Sequence, residues 1–464
     1  MILSGRSPDP GGAVGIATAR TRRPARDTSP VFRRELVGQL LRCYPVSAVV
    51  LAPYLGLILP MAVIYHNPHT GLIASLVGFA LLGSATVETF SLLLGRPDPQ
   101  WRAGVQHSHA RYPRLYPIAR FVALTGIAAD LLGVHLGRGT IVAQLSGELA
   151  GGPVATLTTL FSGWGALAVG LLIASHLSGR LSRAKLYGWL TALVATQTVV
   201  AVQTALTAAL IAFIFFVAVA GMLCGIFRLR YLLVAGAVLI LLWPPLFDHR
   251  NTIRESHGIT VDDNVSALDR IRLDRQLATV AGYDVPVDLG QPGPADYLRY
   301  GLVPRMLDPD RPPMSTGQLI SMYRGGSGTT AYSFLLLGNI WFFEGAVGLV
   351  VLHAAAAGFT AALLRWRGAP GPARLVLFCL ALSDLLLWTG TYPDSVIGFL
   401  QHVVSAVPVF LLLWLTRSRP DRPGRHSLPG WRLRPSRWHD LPSQHGLPGR
   451  HRLVGGPAPT GADR

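Results

Sequence analysis

Nine arginines fall within one polar interval of the chain, residues 247–330: Arg250, Arg254, Arg270, Arg272, Arg275, Arg299, Arg305, Arg311 and Arg324. Aspartates are interspersed among them, and apolar runs long enough to cross a bilayer lie on both sides. A guanidinium fork meets two anionic oxygens at once, where lysine makes a point contact. A diphosphate offers several such oxygens. Several forks at a membrane surface therefore suit the holding of a lipid-linked diphosphate and the stabilising of charge that builds on it as a leaving group. In the segment VSALDRIRLDRQLATVAGY, Leu268, Ile271, Leu273 and Leu277 supply the apolar positions of a helix. Arg270 stands four residues before Asp274, and Arg272 and Arg275 share a face. The plainer reading of each arginine is a surface helix laced by salt bridges.

The rest of the interval reads as a frame for these cations. Pro304, Pro309, Pro312 and Pro313 fix the backbone around Arg305 and Arg311. Gly325, Gly326 and Gly328 permit a close turn after them. The chain is 50% hydrophobic and only 14% charged, well below the charge of a soluble domain. Its repeated apolar runs make it an all-α polytopic membrane protein and exclude a transmembrane barrel. The runs fall at roughly 45–64, 71–94, 117–136, 153–176, 186–203, 206–226, 229–246, 343–364, 374–390 and 398–416. The split of 186–227 at Gln197, Gln203 and Thr204 is the least marked boundary.

Arginine and lysine concentrate before the first run and in the even-numbered connections, for example Arg96, Arg102, Arg111, Arg114, Arg180, Arg183 and Lys185. The connections at 65–70 and 137–152 are nearly free of such charge. Both termini are therefore expected in the cytoplasm, in a multi-pass protein of the cytoplasmic (inner) membrane, with the long loop outside. The expected organisation is a disordered basic N-terminus (1–43), spans 1–7 (44–246), an extracytoplasmic loop with an interfacial helix near its end (247–342), spans 8–10 (343–416) and a basic, Pro-rich tail (417–464). No apolar h-region follows Met1, so no cleavable signal peptide is expected. A formal charge of +17 concentrated in ends and short loops points to anionic membrane lipids as partners and away from nucleic acid. The three cysteines, Cys43, Cys224 and Cys379, have no pairing or metal-ligand spacing.

The stretch 297–352 resembles part of the bacterial O-antigen or exopolysaccharide repeat-unit polymerases, the Wzy-type family. The residues that carry the resemblance are Pro304-Arg305, Pro309-Asp310-Arg311-Pro312, Thr329-Thr330, Leu337-Gly338-Asn339 with Trp341, and Phe343-Glu344-Gly345. Two departures stand out: Asn339 replaces a common acid, and Arg311 replaces a usual lysine. The resemblance implies a GT-C-like fold with about ten transmembrane helices and one large outer loop between spans 7 and 8. It implies a metal-independent glycosyltransferase without cofactors. The donor would be a growing glycan on a polyprenyl diphosphate, and the acceptor a repeat unit on another carrier. A flippase and a chain-length regulator are the functional partners such a system implies. Rival readings are an O-antigen ligase-like transferase and a transporter of lipid-linked sugar.

Under this reading the catalytic candidates are Arg270, Arg275, Arg305, Arg311, His257 and Glu344. Arg272, Arg299, Tyr300, Asn339, Trp341 and Asp130 are candidates for substrate binding. Glu255 and Asp262 are further options for the base, and the Asp262-Asp263 pair is a rival metal motif. Ionisable groups inside the spans, Glu88, Arg120, Asp130, His176, His353 and Asp384, need partners or a polar cavity.

Overall fold

The computed structural model describes residues 38–94, 101–138, 153–204, 207–256, 272–303, 307–308, 315–326, 331–365 and 368–418. All of these belong to one compact unit that ends at Ser418. The expected N-terminal segment and basic tail lie outside the described residues.

The chain is all-helical in this unit, and seven helices among the described residues are long and apolar enough to cross a membrane. They are α1 (Pro45–Ile64), α2 (Thr70–Leu94), α4 (Leu115–His135), the joined pair α5 (Pro153–Phe161) and α6 (Trp164–Leu177), α7 (Arg183–Thr204), α13 (Leu335–Arg365) and α15 (Asp394–Leu415). Shorter or interrupted apolar helices occupy the other expected positions: α8 (Thr207–Leu223), α9 (Leu229–Ser256) and α14 (Pro372–Asp384). The run 186–227 does divide into two helices. Helix α3 (Trp101–Ala110) follows α2, and the loop contains the short helices α10 (Leu273–Ala278), α11 (Pro294–Leu302) and α12 (Thr316–Tyr323).

Two boundaries differ from the sequence expectation. Helix α9 does not stop at 246 but continues through Pro244 and Pro245 to Ser256, so the first residues of the expected loop are helical. The segment expected as an interfacial helix before residue 343 is helical over 335–344 and is set off from the rest of α13 by a break, two residues later than expected. The break comes at Gly345 (φ 64°, ψ −160°), a conformation that side chains with a Cβ strongly resist.

Close helix packing rests on small residues. A Cβ on Gly83 of α2 would fall 2.1 Å from the Val350 carbonyl oxygen of α13, so only glycine allows these two backbones to meet. Helix α6 is buried along most of its length, from Trp164 to Leu177, and forms the centre of the bundle. At the start of α1, Pro45 leaves N–H groups without helical partners. Glu88, buried in α2, caps them: it accepts from Val46 N at 2.6 Å and from the Ser47 hydroxyl at 2.5 Å.

The loop packs on one end of the bundle. Tyr283, Phe334 and Phe342 form an aromatic cluster with centroids 5.0–5.7 Å apart, and Val287 N donates to Phe342 O at 2.8 Å. Thr316 of α12 donates through N and Oγ1 to Asp394, at 2.9 and 2.7 Å. With the hydrogen bond from Asn67 Nδ2 to Asp274, these contacts place the α1–α2 connection, the break in α13, the α14–α15 connection and the loop at the same end.

Candidate functional site

Helix α10 and the α1–α2 connection enclose a pocket of ≈ 450 Å³. Arg272 and Arg275 line it, as their three-residue spacing requires, opposite Tyr65, His66 and His69. Arg272 is held firmly: its Nε and Nη2 donate to the two oxygens of Asp274 at 2.8 and 2.9 Å. Its guanidinium lies 3.9 Å from the Tyr65 ring centroid. Asp274 is fully buried and also accepts from Asn67 Nδ2 at 3.0 Å. Burial pushes the Asp274 carboxyl up, but the hydrogen bonds from Arg272 and Asn67 outweigh it and hold the group below the usual carboxylate range. Asn67 Oδ1 in turn accepts from His69 N at 3.0 Å, which fixes the connection. Arg275 is exposed at the mouth of the same pocket.

Among the described residues the ion-pair partner of Asp274 is Arg272. Arg270, assigned to it by sequence spacing, lies outside the described residues, as do His257, Arg305, Arg311 and the Asp262-Asp263 pair. The structure thus joins Arg272 and Arg275 from the candidate set in one pocket, and adds Tyr65, His66 and His69 from a connection that carried no arginine. Their signal in the sequence was the cluster YHNPH between two spans.

Helix α11 lies along α15. Gln401 donates to the Tyr300 carbonyl at 2.9 Å, and a Cβ on Gly301 would fall 2.5 Å from Leu400 Cβ. Tyr300 is buried there, and Arg299 is half exposed and ion-paired with Asp308. Glu344 precedes the break in α13 and accepts from the Tyr392 hydroxyl at 2.9 Å, with Tyr297 2.8 Å from that hydroxyl. Burial pushes the Tyr392 hydroxyl well up, and Tyr297 and Glu344 add to the shift, so Tyr392 remains a donor. One carboxylate oxygen of Glu344 is thus engaged by Tyr392.

Asn339 and Trp341 have structural partners. Asn339 is buried, accepts from Phe334 N at 3.0 Å, and donates to Ser333 Oγ at 2.8 Å and Gly390 O at 3.2 Å. Trp341 stacks on Phe79 at 6.1 Å.

Asp130 lies in a second polar cluster, at the loop-side end of α4. It accepts from Arg138 Nη2 at 3.1 Å and from Gln197 Nε2 at 2.8 Å, and Arg138 Nη1 reaches Thr158 O at 2.7 Å. Asp384, the last residue of α14, meets His402 Nδ1 at 2.8 Å. His402 was not singled out in the sequence. Its signal was an ionisable residue inside the apolar stretch of α15.

A third feature is an apolar cavity of ≈ 290 Å³, lined by Leu336 and Ile340 of α13 and by Val396, Phe399 and Leu400 of α15, with Tyr392 also among its lining residues. Among the described residues no group of three or more His, Cys, Asp or Glu side chains is placed to hold a metal ion. The arrangement offers a cationic pocket between the loop and the α1–α2 connection, and separate polar contacts at the loop-side ends of α4 and α14, in a polytopic helical membrane protein. No family model, curated protein or solved structure matches this chain.

Proposed function

We propose that the chain is a polymerase-type glycosyltransferase, which joins polyprenyl-diphosphate-linked oligosaccharide repeat units into a surface polysaccharide or exopolysaccharide at the outer face of the cytoplasmic membrane. The observation that carries this reading is the pocket with Arg272 and Arg275. One guanidinium is oriented in advance by Asp274, Asn67 and Tyr65, and the second stands at the mouth. Such a pocket favours a multiply charged, oxygen-rich anion, and its place at the end of a membrane bundle favours an anion attached to a lipid. The ≈ 290 Å³ apolar cavity against α13 and α15 offers a surface of the kind a hydrocarbon chain requires.

The proposal includes ten crossings in a GT-C-like arrangement, cytoplasmic termini and an extracytoplasmic loop. It assigns Arg270, Arg305 and Arg311 to the same reaction, with guanidinium groups supplying the charge stabilisation on their own. Loss of one bidentate contact to a developing negative charge costs about 2–4 kcal/mol, or roughly thirty- to a thousandfold in rate. The test is polymer chain length in cells carrying Arg275→Ala or Arg275→Lys at matched membrane levels. Alanine is expected to abolish long chains and lysine to restore them in part. Full-length polymer at the normal rate from the Arg275→Ala variant would remove this pocket from the reaction.

A further inference from the structure

Between α7 and α8 lies a cavity of ≈ 490 Å³ with an apolar wall. Leu190 and Val194 come from one face of α7, and Ile214, Val217 and Ala218 from one face of α8, at the three- and four-residue spacing of helical neighbours. The cavity lies toward the end of the bundle away from the loop, where α7 begins, α8 finishes and α9 begins.

The mouth is built of different residues. Tyr187, Phe227 and Tyr231 complete the lining, with Tyr187 stacked on Phe227 at 5.8 Å and Tyr231 edge-on to it at 6.4 Å between ring centroids. Phe227 can fold back on α8 because residue 221 is glycine, where a Cβ would fall 2.2 Å from Phe227 Cδ2. Cations surround these rings. Arg183 Nε donates to the Tyr187 hydroxyl at 2.6 Å, and its Nη2 donates to the Ile226 carbonyl at 2.9 Å. Arg230 Nη2 donates to the Tyr231 hydroxyl at 3.3 Å, and the charges of Arg183 and Arg228 reach that same hydroxyl. Lys185 is exposed at the start of α7.

No acid balances this charge locally. The sequence has no Asp or Glu from residue 149 to residue 247. Among the described residues no carboxylate is in ion-pair range of Arg183, Lys185 or Arg230. Arg183 is instead held in place by neutral oxygens. A phospholipid matches this division, with a hydrocarbon chain for the apolar wall and a phosphate for the guanidinium groups. A soluble phosphate compound would leave the apolar wall uncovered. A second copy of the chain, set on this face by two-fold symmetry, would bring the same cations together.

We propose that the cavity between α7 and α8 binds an anionic glycerophospholipid of the leaflet on that side, with one acyl chain between the helices and the phosphate against Arg183 and Arg230. The site is at the opposite end of the bundle from the cationic pocket of the loop, and it does not depend on the transferase reading. A zwitterionic headgroup carries a cation of its own to the same place and gains less.

The test uses the full-length protein in phosphatidylcholine nanodiscs with a trace of phosphatidylglycerol that carries a diazirine midway along one acyl chain. After illumination, peptide masses are expected to place the adduct within 187–194 and 214–222. The same probe with a phosphocholine headgroup should label these peptides at least about fivefold less. Unlabelled phosphatidylglycerol should compete, and soluble glycerol phosphate should not. Arg183→Ala and Arg230→Ala should each lower the labelling about fivefold, and together about twenty-five- to thirtyfold. Equal labelling by the two probes, or adducts only elsewhere in the chain, overturns the proposal without any variant having to fold. Competition by glycerol phosphate also overturns it, since the site would then hold an anion and no lipid. An amine cross-link joining Lys185 of two copies in membranes overturns it as well, because a second chain would then occupy this face.

Discussion

Replacing Arg272 by alanine leaves Asp274, which has no exposed surface, with Asn67 as its remaining side-chain donor among the described residues. Breaking a buried pair from one side costs about 3–5 kcal/mol, because the charge left behind keeps its desolvation penalty. The Arg272 side chain is 15% exposed beside an open pocket, which places this pair at the low end, about 3 kcal/mol. Asp274→Ala removes the acceptor of three hydrogen bonds but frees the guanidinium to turn toward solvent, at a cost of about 1–3 kcal/mol. The double variant has neither charge. A double-mutant cycle in SDS–detergent micelle unfolding should therefore give a coupling of about 1–3 kcal/mol. An exposed surface pair gives about 0.2–1 kcal/mol. A coupling below about 0.5 kcal/mol would mean that Arg272 is ordinary surface charge and that the pocket is not organised in advance.

The same carboxylate predicts an acid-sensitive loop. Because Asp274 is held below its usual range, its stabilisation is present above about pH 4 and is lost as pH falls through its lower folded value. Hydrogen exchange across 273–282 should rise in acid, and the step should vanish in Asp274→Asn. Gly163→Ala drives a methyl into the His402 ring and should cost about 1–3 kcal/mol. Adding His402→Ala should recover most of that loss, and no recovery would refute the close approach. For orientation, a cysteine at Gly293 in a cysteine-free background should react with a membrane-impermeant thiol reagent in intact cells. One at Ala184, between Arg183 and Lys185 at the start of α7, should not, and the reverse pattern would invert the proposed topology.

What could be read from the sequence follows from range. Spans such as 45–64 and 71–94 reproduce within a few residues because twenty apolar residues in a row are a local property. The pairing of Arg272 and Arg275 on one face is also local, set by helical spacing. The end of the apolar run at 246 is not the end of its helix: α9 continues through Pro244 and Pro245 into polar sequence as far as Ser256. The partners of Asp130 and Asp384 lie on other helices, and no spacing rule joins Asp130 to Gln197 across 67 positions. Glu88 is the same case. Its presence inside a span called for a partner or a polar cavity, and only the fold shows that its oxygens serve the start of another helix.

That cap also bears on how the protein enters the bilayer. Until Glu88 arrives, the N–H groups at the start of α1 lack their partner, and until α1 is present the Glu88 carboxyl has no donors for its oxygens. Neither segment is a complete lodger in lipid without the other. The smallest unit that can leave the insertion machinery with these polar groups matched is the α1–α2 hairpin.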